Sequence, residues 1–559
     1  MSGRPNMKFI DLNDTQILTL AHAAGVPITE SDASEIKHQI NAIIQTIEPI
    51  DIGKPLPVEP IPISLADYMV SDKTSYPDSE LSFPTGNTAY PKLSLTELSK
   101  NVHTKQTSAT ELLKLFLERI DLLNPKLAAF TDVYYESSLT EAKCLDDEAN
   151  RGVFRSLLHG LPVGIKEQID IAGRATTGGS LIFKDNITPS DATVVSKLRE
   201  SGAVIIGKLN MMEFAIAETI EFPWGTPLNP WNVERTPGGS SSGSAIAVAT
   251  SMVPATLGGD TGGSIRMPAA LCGIVGFRPT YGRVSRAGSL SACWSMDTLG
   301  PFTKTVSDCA LMMESISGFD KRDVYSNKRS VPLYLKQLEK SEDRVKGLRI
   351  ALISELLSPD LVEKEVINAV ENAAKVFERN GARVDRISVP RVKDAGITHW
   401  TICFTEFAQV NKRLLQNHLQ ELTHMVKIAV ATGTIIPGGA YYKALQLREL
   451  IKHDLLEPFE EFDLILAPTM TSGAQAPSSS VHTNTKEEVL EGLHGAPKLT
   501  APFNLAGLPG LSIPCGFTSE KLPIGLQIVG KPFDETTVLQ AAYLYELNTD
   551  WHTYYPPIY

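Results

Sequence analysis

The sequence predicts an α/β fold with a helical appendage at its N-terminus. From about residue 91 onward, short apolar runs alternate with amphipathic helical patterns, as strands and helices do when they take turns around one sheet. Residues 1–90 lack that alternation and carry helical spacing followed by a Pro-rich run. With 559 residues, 42% of them hydrophobic and 21% charged, the chain can bury a large core.

In the appendage, Asn13 and Asp14 can cap a short helix that Gly25 and Pro27 end. Thr29 and Asp32 form a capping box, each side chain serving a backbone N–H that the helix leaves open. Behind it Ala33, Ile36, Ile40, Ile43, Ile44 and Ile47 recur at helical spacing. Pro49, Pro55, Pro57, Pro60 and Pro62 then exclude helix and read as a semi-rigid strap. The apolar stripe needs a cover: its own main domain, a second copy in a homodimer, or a partner. The boundary is set between a 1–90 appendage and a 91–559 catalytic domain.

In the main domain, Ser108 and Glu111 open a helix with Leu112, Leu115, Phe116, Leu117 and Ile120, expected to stop near Asn124-Pro125. A helix from Asp191 to Ser201 leads into a strand at Ala203–Ile206. Lys346–Ile353 reads as a strand and Glu363–Asn380 as a helix with Val366, Val370, Ala373 and Phe377 on one face. A strand near Val384–Val389, a helix near Tyr441–Leu456 and a strand at Asp463–Ala467 follow.

Charge and composition exclude several function classes. A net charge of −12 without a basic run argues against nucleic acid as a direct ligand. The six cysteines form no CxxC pair and read as buried free thiols of a reducing compartment. The N-terminus MSGRPNMKFIDLND has no apolar core of a secretory signal. The apolar stretch Ala245–Leu257 is broken by Thr250, Ser251 and Pro254 and is too short to span a bilayer. A cytoplasmic protein that does not enter membranes is therefore expected. The eleven histidines show no metal-ligand spacing and read as surface or packing residues.

Three pieces carry chemistry: LPVGIKEQID (161–170), TPGGSSSGSAIAVA (236–249) and GGDTGGSIRMPA (258–269). The second piece is not a phosphate loop, because Ser244 stands where the lysine would be. Gly239–Gly243 matches the GxSxG nucleophile elbow with Ser241 at its centre. That elbow follows a buried strand, and Asn232–Pro237 cannot form one, so the match is accidental. In the third piece, glycines lead into Ser264 and leave the N–H groups of Thr261, Gly262, Gly263 and Ser264 free to converge on an oxyanion. Asp260 and Arg266 bracket this loop with opposite charges. In the first piece Lys166 sits in an apolar frame that favours a neutral amine able to accept a proton. On residues alone, the more ordinary reading is a lysine at a strand end paired with Glu167 or Asp170.

These pieces, with GKLNMMEFA (207–215), NPWNVERTPGGSSSGSA (229–245), TAPFNLAGLPGLSIPCG (500–516) and LPIGLQIVG (522–530), resemble the amidase signature family in order and interval. The resemblance covers about residue 91 to the C-terminus. It implies a central mixed sheet with helices on both faces and a Ser–Ser–Lys triad. Ser264 aligns with the nucleophile, Ser240 with a bridging serine on a cis peptide bond, and Lys166 with the base. Glu167, where Asp is usual, and Ser242, where Gly is commoner, depart from the pattern without touching a triad atom. Implied is a hydrolase that cleaves a small-molecule carboxylic amide through an acyl-serine, with no metal or cofactor. For that base to work, Glu167 and Asp170 must face away from the Lys166 amine.

Two other functions fit the resemblance. One is that of the tRNA-dependent amidotransferases, whose amidase component shares every motif; the N-terminal helix with its strap looks faintly like the small protein that wraps that component. A carbamate- or urea-type hydrolase of the same family is the other. The pocket walls are expected between about 310 and 500, where Trp400, Phe404, Met425, Tyr441 and Tyr442 are wall or core candidates.

Overall fold

A computed structural model of the chain describes residues 11–52, 92–216, 222–412, 417–477, 485–489 and 496–557. The strap at Pro55, Pro57, Pro60 and Pro62 lies outside the described residues. Among the described residues no helix is long and apolar enough to cross a membrane.

The centre is one sheet of eleven strands. In chain order these are β1 (Phe130–Val133), β2 (Pro162–Lys166), β3 (Val204–Leu209), β4 (Ala255–Asp260), β5 (Val275–Arg278) and β6 (Thr298–Thr303). β7 (Arg349–Ile353), β8 (Arg383–Ile387), β9 (Leu464–Pro468), β10 (Gly510–Phe517) and β11 (Pro523–Gly530) complete it. Their spatial order is β1-β3-β2-β4-β6-β5-β10-β11-β9-β7-β8. β2 runs parallel to β3 and β4, and β7 parallel to β8 and β9. The other pairs are antiparallel, so the sheet is mixed, as the resemblance implies. β2, β3 and β4 are buried along their whole length. Strands covered on both faces read as continuous apolar runs rather than alternating ones.

The predicted elements are present, with shifted ends. The helix opened by Ser108 and Glu111 runs Ala109–Leu127, past the expected stop. Pro125 lies in its last turn, where it removes the ladder bond to Asp121 O, and the helix goes no further than Leu127. The left-handed Ala128 ends it instead. The apolar stretch Ala245–Leu257 divides between the helix Ser242–Ala249 and β4. The break falls at Ser251, whose φ of 54° no helix continues through.

The appendage folds as two helices, Asp14–Ala23 and Glu30–Ile47, each opened by a capping box, Asn13 with Gln16 and Thr29 with Asp32. Ile36, Ile40, Ile43 and Ile47 are completely buried. They pack with the main-domain helices Ala395–Val410, His424–Ile435 and Gly438–Leu456. Each isoleucine so buried contributes about 1.5–3 kcal/mol. An ion pair Asp32–Lys427 (2.7 Å) and a hydrogen bond between His424 Nε2 and Glu35 (2.8 Å) lie along this contact, with a hydrogen bond from Gln420 Nε2 to Pro27 O (3.0 Å). The stripe is thus covered by its own chain.

Candidate active site

Lys166 is the last residue of β2 and Asp260 the last of its parallel neighbour β4, so both side chains emerge at the carboxyl edge of the sheet. Open α/β sheets commonly place ligands at that edge. Lys166 is fully buried, and the one side-chain hydrogen bond it makes among the described residues is donated from Nζ to Ser240 Oγ over 2.8 Å. Desolvation drives its pKa down to about 7, against the opposing pull of Asp260 and Asp297.

The neighbouring carboxylates face elsewhere. Glu167 accepts from Thr131 Oγ1, from Thr177 N (3.1 Å) and from Thr177 Oγ1 (2.9 Å). Its charge lies 4.0 Å from Lys208 Nζ, a second buried amine that also donates to Ile169 O (2.6 Å). Asp170 is bonded by Thr176 and sits in the field of Lys208. The alternative pairing of Lys166 with Glu167 or Asp170 is therefore absent.

The Gly239–Ser240 peptide bond is cis. The serines that follow tie this loop to β4: Ser241 Oγ donates to Gly259 O (3.2 Å) and Ser244 Oγ to Leu257 O (3.2 Å). Ser242 Oγ caps Gly238 O at 2.7 Å. A loop, not a strand, precedes Ser241, and its hydroxyl is buried and engaged. The nucleophile-elbow geometry is not formed.

The Asp260–Arg266 bracket is formed in full. Arg266 Nε and one terminal nitrogen each lie 3.0 Å from an Asp260 oxygen, a two-pronged pair with no exposure on either side. Arg278 Nη1 donates to Asp260 O at 2.8 Å, and Asn504 Nδ2 to Asp260 Oδ1 at 2.7 Å. Burial alone would raise the Asp260 carboxyl, but Arg266 and Arg278 outweigh it and hold it well below the usual carboxylate range.

Asp260 also shapes the loop ahead of Ser264. Its Oδ1 accepts the Gly263 N–H at 2.9 Å and its Oδ2 the Ile265 N–H at 3.2 Å. The expectation that Gly263 lends its N–H to an oxyanion is corrected by this: a buried carboxylate is the stronger acceptor and already holds it. Among the described residues the N–H groups of Thr261, Gly262 and Ser264 donate no hydrogen bond, and neither does Ser264 Oγ. Gly263 has φ +127°, and a Cβ there would lie 2.3 Å from Thr500 Oγ1, so only glycine fits.

Other residues here were given no role from the sequence, although Met212 and Glu213 lie inside GKLNMMEFA. Asp297 accepts from Thr261 Oγ1 (2.6 Å) and from the N–H groups of Ala292 and Cys293, and burial pushes its carboxyl up. Met212 N–H donates to Ser240 O at 3.2 Å, and a Cβ on Gly239 would meet the Met212 side chain at 2.3 Å. The next residue, Glu213, accepts from Thr423 N (2.9 Å) and Oγ1 (2.6 Å), at the start of the His424–Ile435 helix that the appendage covers. His399 packs over Gly262. Of the expected wall residues, Phe404 is buried, Trp400 and Tyr441 are half-buried, and Tyr442 is exposed.

A family model described as Amidase matches residues 111–539. The chain belongs to the amidase signature family. The GatA-type component of Glutamyl-tRNA(Gln) amidotransferase from Clostridium novyi (strain NT) is 37% identical over 481 residues, 82% of this chain and 97% of that protein. The crystal structure of the same amidotransferase component from Thermotoga maritima has a TM-score of 0.68 at 34% identity, covering 83% of this chain and 96% of that one. The native peptide amidase from Stenotrophomonas maltophilia gives 0.71 at 28% identity, covering 82% and 97%. The family match begins at residue 111, after the N-terminal hairpin.

Proposed function

We propose that this chain cleaves a carboxylic amide C–N bond through an acyl-serine, with Ser264 as nucleophile, Ser240 as proton bridge and Lys166 as base. The observation that carries this is the 2.8 Å hydrogen bond between Ser240 Oγ and a wholly buried amine near pKa 7. Neutral Lys166 takes the Ser240 proton as Ser240 takes that of Ser264, and the Ser264 oxygen attacks the amide carbon. The oxyanion settles on the N–H groups of Thr261, Gly262 and Ser264, while Gly263 keeps the loop on Asp260. The proton returns through Ser240 to the departing nitrogen, the C–N bond breaks, and water then hydrolyses the acyl-serine. The substrate is a small amide, and the docked hairpin supports a chain that works on its own.

The second reading is the glutamine-hydrolysing component of an amidotransferase, working with partner proteins. Relatives named for that amidotransferase, matched along 97% of their length, favour it. Purified chain assayed without ATP, tRNA or partner, on glutamine, primary amides, anilides and carbamates, separates the two. Release of ammonia or amine from simple amides supports the first reading. Turnover of glutamine alone, and only with added protein, supports the second. Turnover with no acyl adduct on Ser264 overturns both.

A further inference from the structure

The peptide joining Thr261 to Gly262 has its two polar groups on opposite edges, as a trans peptide must. Its carbonyl, Thr261 O, lies 3.3 Å from His399 Nε2. Its N–H, on Gly262, is bonded to nothing among the described residues. His399 is 2% exposed, and its ring occupies the space a side chain at 262 would need: a Cβ there would lie 2.7 Å from both Cε1 and Nε2. The following peptide is fixed at both ends already, Gly262 O accepting from Thr500 Oγ1 and Gly263 N–H going to Asp260. Among the described residues, the Thr261–Gly262 peptide has His399 alone on its carbonyl edge.

The tautomer follows from burial. His399 Nδ1 is buried with no partner among the described residues, so a proton there would be a buried donor without an acceptor. On Nε2 the proton reaches Thr261 O, with the weaker acceptor Cys403 Sγ 3.4 Å away. The ring is carried by the helix Ala395–Val410, which also packs against the N-terminal hairpin.

We propose that His399 is a positioning residue for amide cleavage: its Nε2–H, donated to Thr261 O, keeps the Thr261–Gly262 peptide turned with the Gly262 N–H toward the reacting carbonyl. This rests on the acyl-serine reading above. His399 touches no reacting atom; it sets the direction of a donor that acts only once the oxygen carries charge. Its loss therefore falls on kcat and on transition-state analogues, not on ground-state binding.

The test uses the full chain with its best amide, and the aldehyde of the same acyl group as transition-state analogue. H399F keeps a ring without the donor, and H399Q keeps an N–H donor without the ring. Expected for H399F is a fall in kcat of about 30-fold or more, below the 10²–10³ for deleting an oxyanion donor outright. KM should stay within about threefold, and aldehyde affinity should fall in step with kcat. H399Q should recover kcat to within about fivefold of the parent. H399L replaces H399F should the latter not fold. Unchanged kcat in H399F or H399L, or H399Q falling as far as either, overturns the proposal while Ser264 labelling leaves the acyl-serine reading intact. Activity surviving in S264A overturns both.

Discussion

Lys166 Nζ donates to Ser240 Oγ across 2.8 Å, and among the described residues no carboxylate stands within hydrogen-bond reach to compete for the amine. An ordinary lysine near 10.4 is almost wholly protonated at pH 7 and useless as a base. Here desolvation brings it to about 7. Below that value the amine is charged and cannot accept; above it the neutral form dominates. We therefore expect kcat/KM to rise with pH along a single acidic limb centred near 7. Lys166→Ala should lose about 10³-fold or more, and Lys166→Arg should not rescue, since a guanidinium stays protonated. Arginine-supported turnover in a steady-state assay would remove Lys166 from the base role.

The same burial costs stability. The folded value of about 7 lies below the unfolded value of 10.5. Between the two, the unfolded chain holds a proton that the folded chain does not, so stability rises with pH across that window. Lys166→Met, which keeps the volume without the charge, should raise Tm by at least about 2 °C at pH 7. That gain should shrink toward about pH 10. Calorimetry at one scan rate checks this, and a Tm lowered at neutral pH would contradict it.

Ser264→Ala should abolish turnover with an unchanged circular-dichroism spectrum, because the hydroxyl is bonded to nothing the fold needs. A serine-reactive fluorophosphonate should add its mass at Ser264. An adduct on Ser241 instead would revive the nucleophile elbow.

Arg266→Met leaves the Asp260 carboxylate buried with its main partner gone. Such one-sided breaks cost about 3–5 kcal/mol, and the Gly263 and Ile265 N–H groups would lose a fixed acceptor. Urea unfolding should show that loss, and amide turnover should drop by at least about 100-fold. Stability within about 1 kcal/mol of the parent would mean Arg278 and Asn504 hold Asp260 alone.

Ile40→Asp places a charge in the contact between the hairpin and the His424–Ile435 helix. We expect a Tm lowered by several degrees, with the mass in light scattering unchanged if the stripe is covered only by its own chain. A mass change at constant Tm would assign the stripe to a dimer interface.

Much of the site was legible because it is written in short motifs. Lys166, Ser240, Ser264 and the Asp260–Arg266 bracket each lie inside a contiguous piece, and caps at Thr29 and Ser108 mark helix starts within a residue. β4 was not legible: Ala255–Asp260 carries two glycines next to its end, and its strand state depends on β2 and β6 beside it. His399 was not legible either. It is one of eleven histidines, 138 residues from Thr261, and only the packing of the Ala395–Val410 helix brings the two together. Glu213 sat in a quoted motif, yet its bond to Thr423 spans 210 residues and has no local signature.

The Asp32–Lys427 and Glu35–His424 pairs join two parts of one polypeptide, connected through residues 53–91. On separate chains, such a contact would dissolve on dilution and demand matched expression of both pieces. Tethered, the hairpin meets its face within one molecule, whatever the bulk concentration. Occupancy of the face is then set by the covalent link, one hairpin per catalytic sheet, and dilution does not strip it away.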